Sequence, residues 1–411
     1  MINVKQFVNT LIQSGIDLFC GVPDSLLKSF CAYITDNCGD KHIITANEGG
    51  AVALAAGHYL ATGKMACVYM QNSGQGNAVN PLCSLADPDV YSIPMVLVIG
   101  WRGEPGKKDE PQHVKQGKVT NELMETLGIP TWVIPEKVGG GGQWKEVVLE
   151  TVRTAKIESR PVALIVKKGL FEPYQLKDKK PDIADLKREE AIEAVLESIG
   201  DEAVVVSTTG MISREVHEIR ERNFSRVEHK EHKEVGGESA HAKDFLTVGS
   251  MGHALMIALG VARDCNEKNF NRYVVCLDGD GASIMQMGNM AIAGQARQAN
   301  LIHIVLNNAA HDSVGGQPTV GGAIDFCEIA KACGYYVAEK IESGTKEDLK
   351  AILRERIDQA IYSWACDPIE DQQTTFIEIK VAKGARADLG RPKEPPQVNK
   401  KLFMETLGVK S

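Results

Sequence analysis

Short apolar runs recur through both halves of the chain, each ending in a polar or glycine-rich loop and followed by a helical pattern. "DLFCGVP" (17–23), "KHIITANE" (41–48), "MACVYMQNSG" (65–74), "PMVLVIGWRG" (94–103) and "PVALIVKKG" (161–169) form a first series. "EAVVVSTTG" (202–210), "RYVVCLDGDG" (272–281), "LIHIVLNNAA" (301–310) and "TTFIEIKVA" (374–382) form a second. Strands this apolar, separated by helices, predict parallel sheets covered on both faces. Between the two series lies the polar, proline-bearing "FEPYQLKDKKPDIADLKREE" (171–190). The expected fold is α/β, with two doubly wound parallel-sheet domains over 1–175 and 191–390. A linker is expected over 176–190 and a C-terminal tail over 391–411. The Pro- and Lys-rich "RADLGRPKEPPQVNKK" (386–401) is expected to pack as irregular structure or to sway. "LMETLGI" (123–129) and "FMETLGV" (403–409) read as two helix ends, each closed by a glycine.

Composition narrows the class. Of 411 residues, 43% are hydrophobic and 24% charged, enough apolar side chain for a sizeable core. The formal net charge of −8 leaves no excess of cations to neutralise phosphates, which argues against nucleic acid as a partner. A local cationic pocket can still receive a small anion. No apolar run reaches the length of a membrane span, and no membrane partner is expected. The N-terminal segment lacks the long apolar core and cleavage site of a signal peptide. None of the ten cysteines forms a CxxC pair and most sit in apolar runs, so they read as reduced, buried thiols of a cytoplasmic protein.

The strongest chemical signal lies in the second half. Gly279-Asp280-Gly281 ends one strand, and twenty-five residues later (282–306) a second strand ends in Asn307-Asn308. A strand–helix–strand unit of that length brings both strand ends to one carboxyl edge, where Asp280 and Asn308 can face one ion. Hard oxygen ligands of this kind suit Mg²⁺, which also takes phosphate oxygens. The flanking glycines permit close backbone approach, and a helix beginning near Ala282 and Ser283 points free N–H groups at an anion.

This pattern resembles the thiamine-diphosphate fingerprint, and the chain is identified as a member of the thiamine-diphosphate-dependent decarboxylases. The resemblance implies the thiamine-diphosphate-binding fold, with 1–175 as the pyrimidine-binding domain and 191–390 as the domain for diphosphate and Mg²⁺. It implies that the side chains of Asp280 and Asn308 and the carbonyl of Ala310 hold the metal. It also implies a carboxyl that hydrogen-bonds N1′ of the coenzyme's aminopyrimidine. Glu48, after a strand and before the small-residue helix "GGAVALAAGHY", fits that role; the alternative is a plain charge at a helix N-terminus. Glu48 and Asp280 fall in different domains. In the family such groups meet across a subunit interface, so the resemblance implies a homo-oligomer, at least a dimer, with active sites at the interface. Ser250 and Met251, in "TVGSMGHALMIALGVA" (247–262), resemble the family's segment before GDG. There Met251 would prop the coenzyme in its bent form, or else be a core methionine in a turn. Thr208, Thr209 and Gly210 are candidate diphosphate contacts. "QNSGQGNAVNP" (71–81) either faces the active site or forms a plain turn.

Most decarboxylases of this family carry a middle domain, for which this chain has no room. Its compact form resembles the phosphonopyruvate decarboxylases and the related sulfopyruvate decarboxylases. The segments that carry this are "GVPDSLLK" (21–28), "GWRGEPGKKDEPQHVKQG" (100–117), "NNAAHDSVGGQPT" (307–319) and "ADLGRPKEPP" (387–396). The implied reaction is decarboxylation of a small anionic 2-oxo acid, 3-phosphonopyruvate, to phosphonoacetaldehyde and CO₂ in phosphonate biosynthesis. One departure is Ala309, where glycine is expected; it matters if that turn needs a positive φ. Arg102, Lys107, Lys108, His113 and Lys115 share one stretch, and Arg suits bidentate contact with a phosphonate. The alternative is a solvated run of charge alternating with Glu104, Asp109 and Glu110. Arg102, Lys107, Ser313 and Gln317 are the candidate substrate contacts. Asp24 and His113 are candidate proton donors to the product carbon after CO₂ leaves; Asp24 could instead cap the turn before "SLLKSF". Competing functions are sulfopyruvate decarboxylation, acetolactate-synthase-like carboligation, and binding of a phosphate ligand without turnover. GDG is not the GxGxxG of a dinucleotide site.

Overall fold

The computed structural model describes residues 1–136, 143–177, 179–200, 203–231, 240–267, 272–336, 338–342, 344–366, 368, 371–392 and 394–409, with side chains of 226–231 excepted. Asp178 of the expected linker, Glu202 of an expected strand, and Lys393, Lys410 and Ser411 of the expected tail lie outside the described residues. The chain forms two compact units, Met1–Lys180 with Ser313–Gln317, and Pro181–Asp312 with Pro318–Ser411. Among the described residues no helix is long and apolar enough to cross a membrane.

The first unit holds a six-stranded parallel sheet of β1 (Ile16–Gly21), β2 (His42–Ile44), β3 (Met65–Gln71), β4 (Met95–Gly100), β5 (Thr131–Val133) and β6 (Pro161–Val166). The order is β2-β1-β3-β4-β6-β5. Every residue of β4 and β6 is buried, the pattern of strands covered on both faces. On one face Phe7, Phe19, Phe30 and Phe171 pack edge to face or stacked. On the other, Ala51, Val52, Ala55 and Ala56 let the helix Glu48–Thr62 lie close to the sheet. That helix is capped by the Asn47 side chain, which accepts from the Gly50 N–H at 2.9 Å, and it stops at Gly63, where φ is +67°. The chain leaves β1 for β2 on one side and returns for β3 on the other. The carboxyl ends of β1 and β3 therefore flank a topological switch point, where ligands of such sheets bind.

The second unit repeats this plan with β7 (Ala203–Ser207), β8 (Asp244–Leu246), β9 (Tyr273–Gly279), β10 (Leu301–Asn307), β11 (Ala338–Ile341) and β12 (Thr375–Lys380). These strands are parallel, in the order β11-β12-β10-β9-β7-β8. The switch point falls between β7 and β9. Inside the stretch read as linker, Lys187 bridges Ala382 and the helix Arg188–Ser198 begins.

The end of that Pro- and Lys-rich stretch is not irregular: Pro396–Thr406 is a helix. Proline at its start fits a first turn, where a missing N–H leaves no bond unmade. The helix covers the edge strand β8. The Asn399 side chain accepts from the Leu246 N–H at 3.0 Å and donates to the Asp244 carbonyl at 2.7 Å, while buried Phe403 meets Phe245 at 5.6 Å.

Candidate active site

In the first unit, each candidate acid follows a strand end, and one segment after β3 touches both acids. Asp24, three residues beyond β1, is fully buried. Its Oδ2 accepts from the Leu26 and Leu27 N–H groups, each at 3.1 Å, so the turn-capping role is realised. Its Oδ1 accepts from the Gln71 amide. Burial pushes the Asp24 carboxyl up, against the pull of Gln71, Arg102 and the backbone N–H groups. A Cβ on Gly100 would stand 2.3 Å from its Oδ2. Glu48, at the first turn of its helix, is 4% exposed. Asn77 donates to its Oε2 at 2.7 Å, and a Cβ on Gly74 would lie 2.1 Å from its Oε1. Burial raises the Glu48 carboxyl, with Asn77 opposing. The segment over 71–81 is therefore no plain turn but the end of β3, a short 3-10 turn and the helix Gln75–Pro81, and its Gln71, Gly74 and Asn77 shape the surroundings of both carboxyls.

The basic loop after β4 divides. The Arg102 guanidinium is turned inward, with Nε at 2.9 Å from Asp109 Oδ2, Nη2 on Oδ1 and Nη1 at 2.7 Å from the Ser25 hydroxyl. Three of its five donors are thus already engaged. Burial would raise Asp109, but Arg102 and the Gly103 N–H hold it at about 2. His113 lies buried in the first turn of Pro111–Thr126; burial and the nearby Arg102 charge bring its imidazole down to about 4. Lys107, Lys108 and Lys115 are exposed. Ser313 is exposed too, whereas Gln317 is fully buried and neither atom of its amide has a partner.

In the second unit β9 and β10 are neighbours, with Gly279 opposite Leu306, so Asp280 and Asn308 follow adjacent strand ends. Asp280 is 3% exposed, and no cationic side chain among the described residues pairs with it. Burial pushes its carboxyl up to about 6, although the Thr319 hydroxyl donates to Oδ2. A Cβ on Gly321 would come within 2.6 Å of that oxygen. A buried carboxylate without a counter-charge, beside a glycine cradle, fits a divalent cation. The Asn308 amide donates to Asp312 Oδ2 at 2.7 Å, and its Oδ1 accepts from the Ala310 N–H at 3.0 Å. Asp312 is held in turn by Arg188, at 2.7 Å, whose guanidinium also grips Glu215 at 2.8 and 3.0 Å. Sequence reasoning missed Arg188, which lay in the presumed linker, and Gly321, which carries no motif; Thr319 closes the segment "NNAAHDSVGGQPT" without having been singled out. Asn307 donates to the Gly321 carbonyl at 2.8 Å and to buried Glu378 at 2.7 Å. The turn at Ala309 does need a positive φ, +55°, which costs an alanine on the order of 1 kcal/mol.

The candidate diphosphate contacts cluster at the same carboxyl edge. Thr208, directly after β7, is buried and its hydroxyl has no partner, as is true of Thr247, directly after β8. The orphaned Thr208 hydroxyl beside the switch point, with that of Thr247 at the end of the neighbouring strand, fits an anionic group. Thr209 accepts from the Gly249 N–H at 3.1 Å, and Gly210 precedes the helix Met211–Glu231. Ser250 sits at φ +47°, and Met251 is half-buried in the same turn. Around Asp280, a Cβ on Gly279 would meet only Ile212, at 3.5 Å, and one on Gly281 the His311 ring, at 3.0 Å. Ala282 is buried, and the Ser283 hydroxyl is already bonded to Asp278 at 3.0 Å.

Two family models match these halves: the thiamine pyrophosphate enzyme N-terminal TPP binding domain over residues 3–124 and the C-terminal TPP binding domain over residues 236–364. The chain belongs to the thiamine pyrophosphate enzyme family, as one of its decarboxylases. It is similar to a phosphonopyruvate decarboxylase of Streptomyces hygroscopicus, at 30% identity over 98% of this chain and 94% of that one. It is also similar to a sulfopyruvate decarboxylase of Methanosarcina acetivorans, at 26% identity over 99% and 98% of the respective chains. Among solved structures, a benzoylformate decarboxylase from Polynucleobacter necessarius matches at 13% identity and a TM-score of 0.32, over 94% of this chain and 100% of that one.

Proposed function

We propose that this chain decarboxylates 3-phosphonopyruvate to phosphonoacetaldehyde and CO₂, using thiamine diphosphate and Mg²⁺, in phosphonate biosynthesis in the cytoplasm. The carrying observation is the 30% identity to a phosphonopyruvate decarboxylase that extends over nearly both chains. The bound coenzyme would supply the nucleophile for the 2-oxo carbonyl and the sink for the electrons released with CO₂. The residues of this chain do the rest. Asp280, Asn308 and the Ala310 carbonyl would hold the metal, and Thr208, Thr209 and Gly210 the diphosphate, beside Gly279, Gly281, Ala282, Ser283, Ser250 and Met251. Glu48, whose carboxyl burial pushes upward against the pull of Asn77, would hold a proton at the aminopyrimidine N1′. Asp24 would return a proton to the product carbon, and buried His113, neutral near pH 7, would assist there as a hydrogen-bonding partner rather than as an acid. Lys107, Ser313 and Gln317 would contact the phosphonate, and Arg102 would add field more than contact because Asp109 already engages it. The active form would be a homo-oligomer of at least two copies.

The sulfopyruvate relative, which is similar over as great a length, makes the substrate the open arm of the test. Steady-state rates on phosphonopyruvate, sulfopyruvate and pyruvate should show the highest kcat/KM on phosphonopyruvate. A higher value on sulfopyruvate, or acetolactate formed from pyruvate, would replace this reading.

A further inference from the structure

We propose that Gln71 and Ser73 form a two-state hydrogen-bond switch that holds the Asp24 carboxyl in place both before and after it gives up its proton. The inference rests on the reading of Asp24 as the donor to the product carbon. Decarboxylation of a 2-oxo carboxylate to an aldehyde consumes one proton per CO₂ released. An acid in that role must therefore alternate between carboxyl and carboxylate at every turnover and recover its proton from solvent water.

Asp24 is fully buried, so each state needs its own partners. The arrangement seen suits the carboxylate: Leu26 and Leu27 donate to Oδ2, the Gln71 amide donates to Oδ1, and the Ser73 hydroxyl donates to Gln71 Oε1 at 2.7 Å. The two backbone N–H groups can only donate. A neutral carboxyl needs an acceptor for its O–H, and Gln71 is the side chain standing on Oδ1. A half-turn of its amide presents Oε1 to that O–H and Nε2 to Ser73. A hydroxyl donates or accepts equally well, so Ser73 completes the chain in either state. Ser73 is half-exposed, so the chain runs from a buried acid to a point that solvent reaches. Gly100 closes the other side, since even a Cβ there would meet Oδ2. Two other charged or titratable groups among the described residues face Asp24. They are the Arg102 guanidinium beyond β4 and the Cys31 thiol of the helix Lys28–Asn37, which burial keeps neutral by pushing it up to about 12.

Gln71→Leu removes both halves of the switch at similar volume. In the holoenzyme, kcat should fall about tenfold or more, with KM and the calorimetric Kd for thiamine diphosphate changed less than about twofold. Independently of turnover, infrared difference titration of the full-length apoprotein, with Asp24→Asn identifying the band, should show the Asp24 carboxyl titrating at higher pH in the variant. Ser73→Ala should move the kcat–pH profile in the same direction and Ser73→Thr should restore it. That pair decides the matter if Gln71→Leu fails to fold. An unmoved Asp24 titration, a loss that falls mainly on KM or coenzyme Kd, or identical profiles for the two Ser73 variants would overturn the proposal. If the wild type prefers another 2-oxo acid, the substrate reading fails while the infrared titration still tests the switch.

Discussion

Glu48 Oε1 lies where a methyl group on Gly74 would have to go, and this makes a glycine far from Glu48 in sequence a gauge of what the carboxyl does. Gly74→Ala should displace the Glu48 side chain, whereas Gly76→Ala, in the first turn of the following helix, places its Cβ in open space. Glu48→Gln keeps an acceptor for Asn77 but cannot ionise. We expect Glu48→Gln to lower kcat by roughly 10²–10⁴-fold with thiamine diphosphate still bound, Gly74→Ala to lose activity in the same direction, and Gly76→Ala to match wild type. Steady-state kinetics alongside calorimetric coenzyme binding would check this. At this scale the strand-end residues were legible because parallel α/β topology gathers them at one edge. Asn77, Gly74 and Gly321 were not, since each matters only through a contact between segments distant in sequence. Ala309 was readable as a departure, but its positive φ needed the backbone.

The tail shows how an element can hide. Proline and lysine suggested irregular chain over 386–401, yet Leu402 and Phe403 give Pro396–Thr406 an apolar side, Pro392 and Pro395 precede it and Pro396 opens it. The repeated "METLG" was the better clue. Gly128 and Gly408 both adopt left-handed φ, +66° and +67°, and the following N–H reaches back to Met124 and Met404, each at 2.9 Å. Phe403→Ala should cost about 3–4 kcal/mol by opening a cavity against Phe245, read as a lower urea midpoint. A change below about 1 kcal/mol would mean that the helix does not seal the edge of β8. The two units divide at Lys180 and Pro181, inside the stretch read as linker, but Arg188 looks like one charge among many until Glu215 and Asp312 are brought to it.

At the scale of the molecule, neutral imidazoles that are buried or half-buried contribute to the acid limit. Burial brings His42, His113 and His311 from an ordinary value near 6.5 down to about 4. As pH falls below 6.5, the unfolded chain takes up these protons first. Stability from this source is therefore full above pH 6.5, declines between 6.5 and 4, and levels off below. Each histidine should contribute on the order of 1–2 kcal/mol of loss by pH 5. Urea midpoints at pH 7.5 and 5 should differ accordingly, with the slope reduced in His42→Asn; equal midpoints would contradict the buried, neutral assignment. The two-unit plan itself followed from the rhythm of apolar runs, because strands buried on both faces leave little choice of architecture.

The most direct test is CO₂ release from 3-phosphonopyruvate by protein stripped of coenzyme and metal. Release should appear only when thiamine diphosphate and Mg²⁺ are added together, and Asp280→Ala should abolish it. Turnover without either addition, or full turnover by Asp280→Ala, would contradict the account.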